Sequence, residues 1–254
     1  MRATLTPVVL AALLLLAACG GGGGASLPTR PSVTGPLVQG AKGVWIFRPA
    51  GDPKRLVIFF HGQGGPVEAT PANHRAWIDH LVQHGAAVVY PRYEEDNSAA
   101  VLEPAVAGIR TASDRLGLKA TVPVLALGYS RGAALAVEYA AVAPAKGVPV
   151  PDAVETVNPV PYGEQARVVN LRPLQPSTVL AVLISDRDPH AVDGSTLLLH
   201  RLRDAGFPGK QIRIDVARSH GSFVADHLAP LSALPAARRA YWAPTDALLA
   251  GLRG

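Results

Sequence analysis

Val122-Pro123-Val124-Leu125-Ala126-Leu127-Gly128-Tyr129-Ser130-Arg131-Gly132-Ala133-Ala134-Leu135-Ala136-Val137-Glu138-Tyr139 runs from an apolar segment, through Gly-x-Ser-x-Gly, into a stretch of helical character. In a chain with 25 glycines the five-residue pattern alone says little, so its flanks carry the reading. A serine on a sharp strand-to-helix turn takes up a strained backbone and stands clear of the sheet, and small residues two before and two after it let the chain turn without clashing. The next N–H then lies at a helix N-terminus, where partial positive charge can meet a developing oxyanion. Ser130 is the candidate nucleophile, and the Arg131 amide is one candidate oxyanion donor.

The same alternation extends outward in both directions. Val44–Phe47, Leu56–Phe60 and Ala86–Tyr90 read as strands, the latter two as continuous apolar runs expected of strands buried on both faces. Thr70-Pro71 predicts a helix start, Trp77, Ile78, Leu81 and Val82 its apolar face, and Gly85 its end. Val101–Leu116 is helical by period and closes on Gly117. Asp152–Val157, Val179–Ile184 and Gln211–Val216 are further strand candidates. Asp193 is the expected cap of a helix through Ala205, and Asp246–Leu252 the last helix. Strand alternating with helix implies an α/β fold with a mostly parallel sheet and helices on both faces. Ligands in such folds bind at the carboxyl ends of the strands.

Three further stretches fall at those ends. His61-Gly62-Gln63-Gly64-Gly65 follows the second strand, and Gln63 is the second candidate oxyanion donor. His61 reads as a structural residue tying that loop together. Ser185-Asp186-Arg187-Asp188-Pro189-His190 follows the strand where an acid belongs; the reading favours Asp188, with Asp186 as the alternative. Ala217-Arg218-Ser219-His220-Gly221-Ser222-Phe223 follows the last strand, which makes His220 the expected base. His227 is its alternative and falls in a helical-looking stretch. The order Ser130, Asp188, His220 is that of one of three unrelated triad lineages and of neither other.

Those residues resemble an α/β-hydrolase with a compact core like that of dienelactone hydrolases, chlorophyllases and polyester-degrading esterases. The resemblance rests on Gly128–Gly132, His61–Gly64 and Ser185–Pro189. Two departures are Ser185, where a glycine is usual, and Ala133, where a second glycine is common. It implies a serine esterase or related acyl hydrolase working through an acyl-enzyme, with no cofactor and no metal. A serine nucleophile argues against the dehalogenase and epoxide hydrolase chemistry that this fold runs with an aspartate. Acyl transfer to an alcohol or amine, and a non-catalytic envelope binding protein, are the alternative readings.

From Pro144 to Thr178 little chain is left over for a cap domain, so the expected site is open and suited to an accessible ester, small or polymeric. Tyr93, Tyr162 and Phe223 are candidate lining residues. The net charge of +5 comes from scattered arginines without a basic stripe, which excludes a nucleic-acid partner from this reading. The expected state is a monomer.

The N-terminus is read separately. Met1-Arg2 and the apolar Val8–Ala18 have signal-peptide character and are too short for a membrane span. Leu16-Ala17-Ala18-Cys19 resembles the lipobox of bacterial lipoprotein signal peptides, which implies a lipid on Cys19, the chain's single cysteine. Residues 1–18 are the expected signal, 19–36 a Gly/Pro-rich tether with a span of roughly 20–25 Å, and 37–254 the folded domain. The expectation is an exported protein, lipid-anchored at the cell membrane or envelope.

Overall fold

The computed structural model describes residues 30–64, 68–93, 101–161 and 169–252. The signal and lipobox residues, Cys19, the glycine run, Gly65 and Tyr162 lie outside them.

One eight-stranded sheet carries the fold. Its strands are β1 (Ser32–Thr34), β2 (Val44–Arg48), β3 (Arg55–Phe60), β4 (Ala86–Pro91), β5 (Val124–Tyr129), β6 (Ala153–Val157), β7 (Val179–Ser185) and β8 (Ile212–Ala217). They lie in the order β1-β2-β4-β3-β5-β6-β7-β8. β2 runs antiparallel to β1 and β4, and every other pairing is parallel. The helices are α1 (Arg75–Gln83), α2 (Leu102–Leu116), α3 (Arg131–Lys146), α4 (Pro189–Asp204), and a C-terminal run of α5 (Pro235–Ala237), a π turn (Arg238–Trp242) and α6 (Ala243–Gly251). This is the α/β-hydrolase fold.

The apolar runs explain the layering. Alternate residues of a strand point to opposite faces, so one run fills two cores. Leu56, Ile58 and Phe60 of β3, with Val124 and Ala126 of β5, pack with Val106 and Ile109 of α2, Leu135 and Tyr139 of α3, and Leu198 and Leu202 of α4. Val57, Phe59, Leu125 and Leu127 pack instead with Trp77, Ile78 and Leu81 of α1 and with Trp242, Leu248 and Leu249 at the C-terminus. A part-buried ion pair, Arg201 Nη2 to Glu138 Oε1 at 2.9 Å, ties α4 to α3. Among the described residues between β6 and β7 there is no helix or strand.

Four element limits differ from the sequence reading, the last being α6, which runs Ala243–Gly251 in place of the expected Asp246–Leu252. Ser32–Thr34, assigned above to the tether, pair with β2 as the edge strand β1. α1 starts at Arg75, after a run of turns. The Thr70 carbonyl accepts from the Tyr90 hydroxyl, and the His74 ring is held by Glu68, so side-chain bonds outcompete the first helical turn. α4 starts at Pro189 because Asp188, and not Asp193, is its N-cap, its side chain accepting from the Ala191 N–H. Pro at the first helical position then fits a locked φ and a missing donor.

Candidate active site

Ser130 sits where β5 hands over to α3, at φ 55° and ψ −123°. An L-residue pays for such a backbone, and it persists only where the surroundings enforce it. Here they do. A Cβ on Gly128 would stand 2.2 Å from the Gly132 carbonyl oxygen, and one on Gly132 would stand 2.3 Å from the carbonyl oxygens of Phe60 and His61. Both positions therefore admit only glycine, and the turn between them is driven outward at Ser130. The Ser130 N–H donates to the Val157 carbonyl at 2.9 Å, anchoring the elbow to β6.

The Ser130 hydroxyl lies 2.9 Å from His227 Nε2, and His227 Nδ1 lies 2.5 Å from Asp188 Oδ2. Asp188 is 2 % exposed and Ser130 7 %, whereas about a third of the His227 ring faces solvent. The two carboxylate oxygens of Asp188 have separate tasks: Oδ1 accepts from the Ala191 N–H and caps α4, and Oδ2 takes the imidazole. The cap thus locks the carboxylate in the rotamer that meets the histidine. The Tyr129 hydroxyl donates to the His227 carbonyl at 2.9 Å, and burial raises that phenol's pKa, so it stays a donor.

The base differs from the one expected. His220 does not reach Ser130. Its N–H and carbonyl exchange two 3.0 Å hydrogen bonds with Phe223 across a tight turn in which Gly221 takes φ 56°. Its ring lines a surface cleft of about 670 Å³ with Arg213, Asp215, Arg218 and Arg239, a cleft that includes neither Ser130 nor Asp188. The chain needs that turn before it can return to the site, and the return brings His227 there. Nor is His227 helical. It occupies a bend that precedes a 3₁₀ turn at Ala229–Leu231, with Asp226 Oδ1 accepting from the Leu228 and Ala229 N–H groups.

Asp186, the alternative acid, is exposed and accepts from the Ser219 N–H at 3.0 Å and the Ser219 hydroxyl at 2.6 Å. The Ser219 hydroxyl and N–H hold its carboxyl below its ordinary pKa. Asp186 therefore pins the loop after β8 to the loop after β7. Asp188 is the acid that reaches a histidine.

The loop after β3 packs directly on the nucleophile: a Cβ on Gly62 would lie 3.3 Å from the Ser130 Cβ. Gln63 is exposed in that loop, and Arg131 opens α3. His61 is fully buried, its ring stacked on Tyr93 at 4.0 Å and 4°, and the Tyr93 hydroxyl donates to the His61 carbonyl. Burial lowers its pKa to about 3, so it is a neutral strut. Tyr93 is thus part of the loop's support and not an open wall, and Phe223 closes the turn that holds His220.

Behind the loop lies a pair that the sequence reading missed. Glu68 accepts from Asn73 at 2.5 Å and pairs with His74 Nε2 at 3.0 Å. Burial alone would raise the Glu68 pKa, but the hydrogen bonds from His74 and Asn73 outweigh it and the net shift is downward. Asn158, Tyr129 and Asp226 were missed as well. No local pattern marks Asn158 or Tyr129, because their partners lie tens of residues away.

No protein-family model matches the chain, and no curated protein matches it. Solved structures do. Esterase B from Lactobacillus rhamnosis is 16 % identical, with a TM-score of 0.64 over 89 % of this chain and 88 % of that one. An esterase of the bacterial hormone-sensitive lipase family is 19 % identical, with a TM-score of 0.59 over 88 % and 85 %. Esterase LipW from Mycobacterium marinum is 18 % identical, with a TM-score of 0.58 over 87 % and 82 %. At these identities the likeness is one of fold. The fold is that of the α/β-hydrolases, and Ser130, His227 and Asp188 form a serine-hydrolase triad on it.

Proposed function

We propose that the chain is a carboxylic ester hydrolase acting on an accessible ester through an acyl-enzyme. The observation that carries the reading is the continuous relay from Ser130 Oγ through His227 to Asp188, at 2.9 and 2.5 Å. His227 takes the Ser130 proton as the hydroxyl oxygen attacks the ester carbonyl. Asp188 holds the tautomer with the proton on Nδ1 and stabilises the imidazolium that forms. The Gln63 and Arg131 amides are the proposed oxyanion donors, the second favoured by its place at the start of α3. The imidazolium returns its proton to the leaving alcohol; water, activated by the same base, then releases the acid. The structural relatives are named as esterases, which agrees with this substrate class.

The proposed setting is the cell envelope, with a lipid on Cys19 and residues 20–29 as the spacer before β1. The lipobox-like Leu16–Cys19 supports it.

A fluorophosphonate probe tests the activity. The folded wild type labels and the Ser130→Ala variant does not, and the same variant loses hydrolysis of short-chain p-nitrophenyl esters. Equal labelling of the two proteins contradicts the reading. Added alcohols that divert the acyl group into new esters, with little free acid formed, would show transfer to be the main reaction instead.

A further inference from the structure

Asn158 stands directly after β6, fully buried, at φ 47°. Among the described residues it and Ser130 are the two non-glycine positions in the left-handed region. Asparagine tolerates this conformation better than most residues, but at a cost that something must offset. Its N–H donates to the Leu183 carbonyl of β7 at 2.9 Å. Its side-chain oxygen accepts from the Ser185 N–H at 2.9 Å, and its amide nitrogen donates to the Asp226 carbonyl at 3.2 Å and, more weakly, to the His227 carbonyl at 3.4 Å. One end of the amide meets an N–H and the other meets two carbonyls, so the partners dictate its orientation.

This side chain therefore joins the two loops that must cooperate. Ser185 begins the acid loop, and its carbonyl accepts from the Asp188 N–H at 3.2 Å. Asp226 and His227 are the base loop. His227 lies outside regular secondary structure, so no helix or strand ladder fixes its backbone. A misplacement of about 1 Å in a catalytic group can cost on the order of 100-fold in rate. We propose that Asn158, together with the Tyr129 hydroxyl, is the positioning residue for the catalytic base, holding the His227 backbone so that its ring spans Ser130 and Asp188. The inference rests on the triad reading and extends it: the strained backbone at Asn158 aims its amide at both loops.

Asn158→Asp tests it. The substitution keeps size, left-handed tolerance and the acceptor for Ser185, but turns the donor into an oxygen facing two carbonyls. Expected is a fall in kcat of roughly 10- to 100-fold, with KM changed by less than about threefold and fluorophosphonate labelling slowed in parallel. The pH profile is read in Asn158→Gly, which adds no charge beside the imidazole: a base pulled from Asp188 loses support for its cation, so the rising limb of kcat/KM against pH should move to lower pH there. A residue that only stabilised the fold would not move that limb. Asn158→Gly, which keeps the backbone angle and adds no charge, decides the matter if the Asp variant fails to fold. Tyr129→Phe removes the second donor and should give a smaller fall in kcat. The double variant should lose more than the product of the single losses, since either donor partly covers for the other. Folded Asn158→Asp with wild-type kcat, or folded Asn158→Gly with wild-type kcat and an unshifted limb, overturns the proposal while leaving the triad standing. Wild-type turnover in Ser130→Ala overturns the triad reading itself.

Discussion

The elbow at Ser130 and the loop after β8 present the same task, holding one side chain at the rim of the sheet, and solve it by different means. At the elbow the constraint is local. A Cβ at Gly128 or Gly132 would run into backbone atoms, so the chain from Gly128 to Gly132 has one way to turn. After β8 the constraint is remote. Asp186 holds Ser219, the Ala225 carbonyl accepts from the Arg187 N–H, Asn158 and Tyr129 hold the His227 carbonyl, and Asp188 holds its ring. A local constraint is written in adjacent letters; a remote one appears only after the chain has folded.

The largest expected effect lies on the remote side. Asp188→Asn should lower kcat by on the order of 10⁴ with the fold intact, because the tautomer of His227 is no longer held. Asp186→Asn should leave kcat within roughly tenfold, since it weakens two hydrogen bonds to Ser219 and touches no triad member. Steady-state ester hydrolysis separates the two, and equal losses would erase the distinction between relay and tie.

Gly132→Ala tests the local side. A methyl 2.3 Å from two carbonyl oxygens must push β3 and α3 apart. The expected cost is about 1–3 kcal/mol or more in chemical denaturation, with activity lost as the elbow opens. Wild-type stability would mean that the elbow is not sterically enforced.

A further effect, on stability alone, concerns a group outside the site. Glu155 lies on β6, fully buried on the face toward α6, and burial pushes its carboxyl up to about 8. A carboxyl raised in the folded state binds its proton more tightly there than in the unfolded chain. Its contribution is fully present below the ordinary value of 4.5 and declines as the pH rises through about 8. Glu155→Gln should therefore gain on the wild type between pH 5 and 9 in urea titrations. A constant difference across that range would place the carboxyl elsewhere in its titration.

The same division explains what could be read in advance. Leu56–Phe60, Ala86–Tyr90 and the run into Gly128 declare buried parallel strands because a strand covered on both faces must be apolar throughout. Ser130 and the acid loop followed from their place after such strands. The base did not. His220 directly follows the last strand and satisfies a rule of proximity, but Gly221 turns the chain there. Distinguishing it from His227 required hydrogen bonds from Asn158 and Tyr129, which are separated from His227 by 69 and 98 positions. The Asp188 cap was equally hidden, since Asp193 offers the same side chain one turn later.

Hydrolysis of a short-chain p-nitrophenyl ester by His227→Ala and His220→Ala decides which histidine is the base. Expected are a loss in kcat on the order of 10⁴- to 10⁶-fold for His227→Ala and a change of less than about twofold for His220→Ala, with both proteins folded. Retained turnover in His227→Ala, or a comparable collapse in His220→Ala, would contradict it.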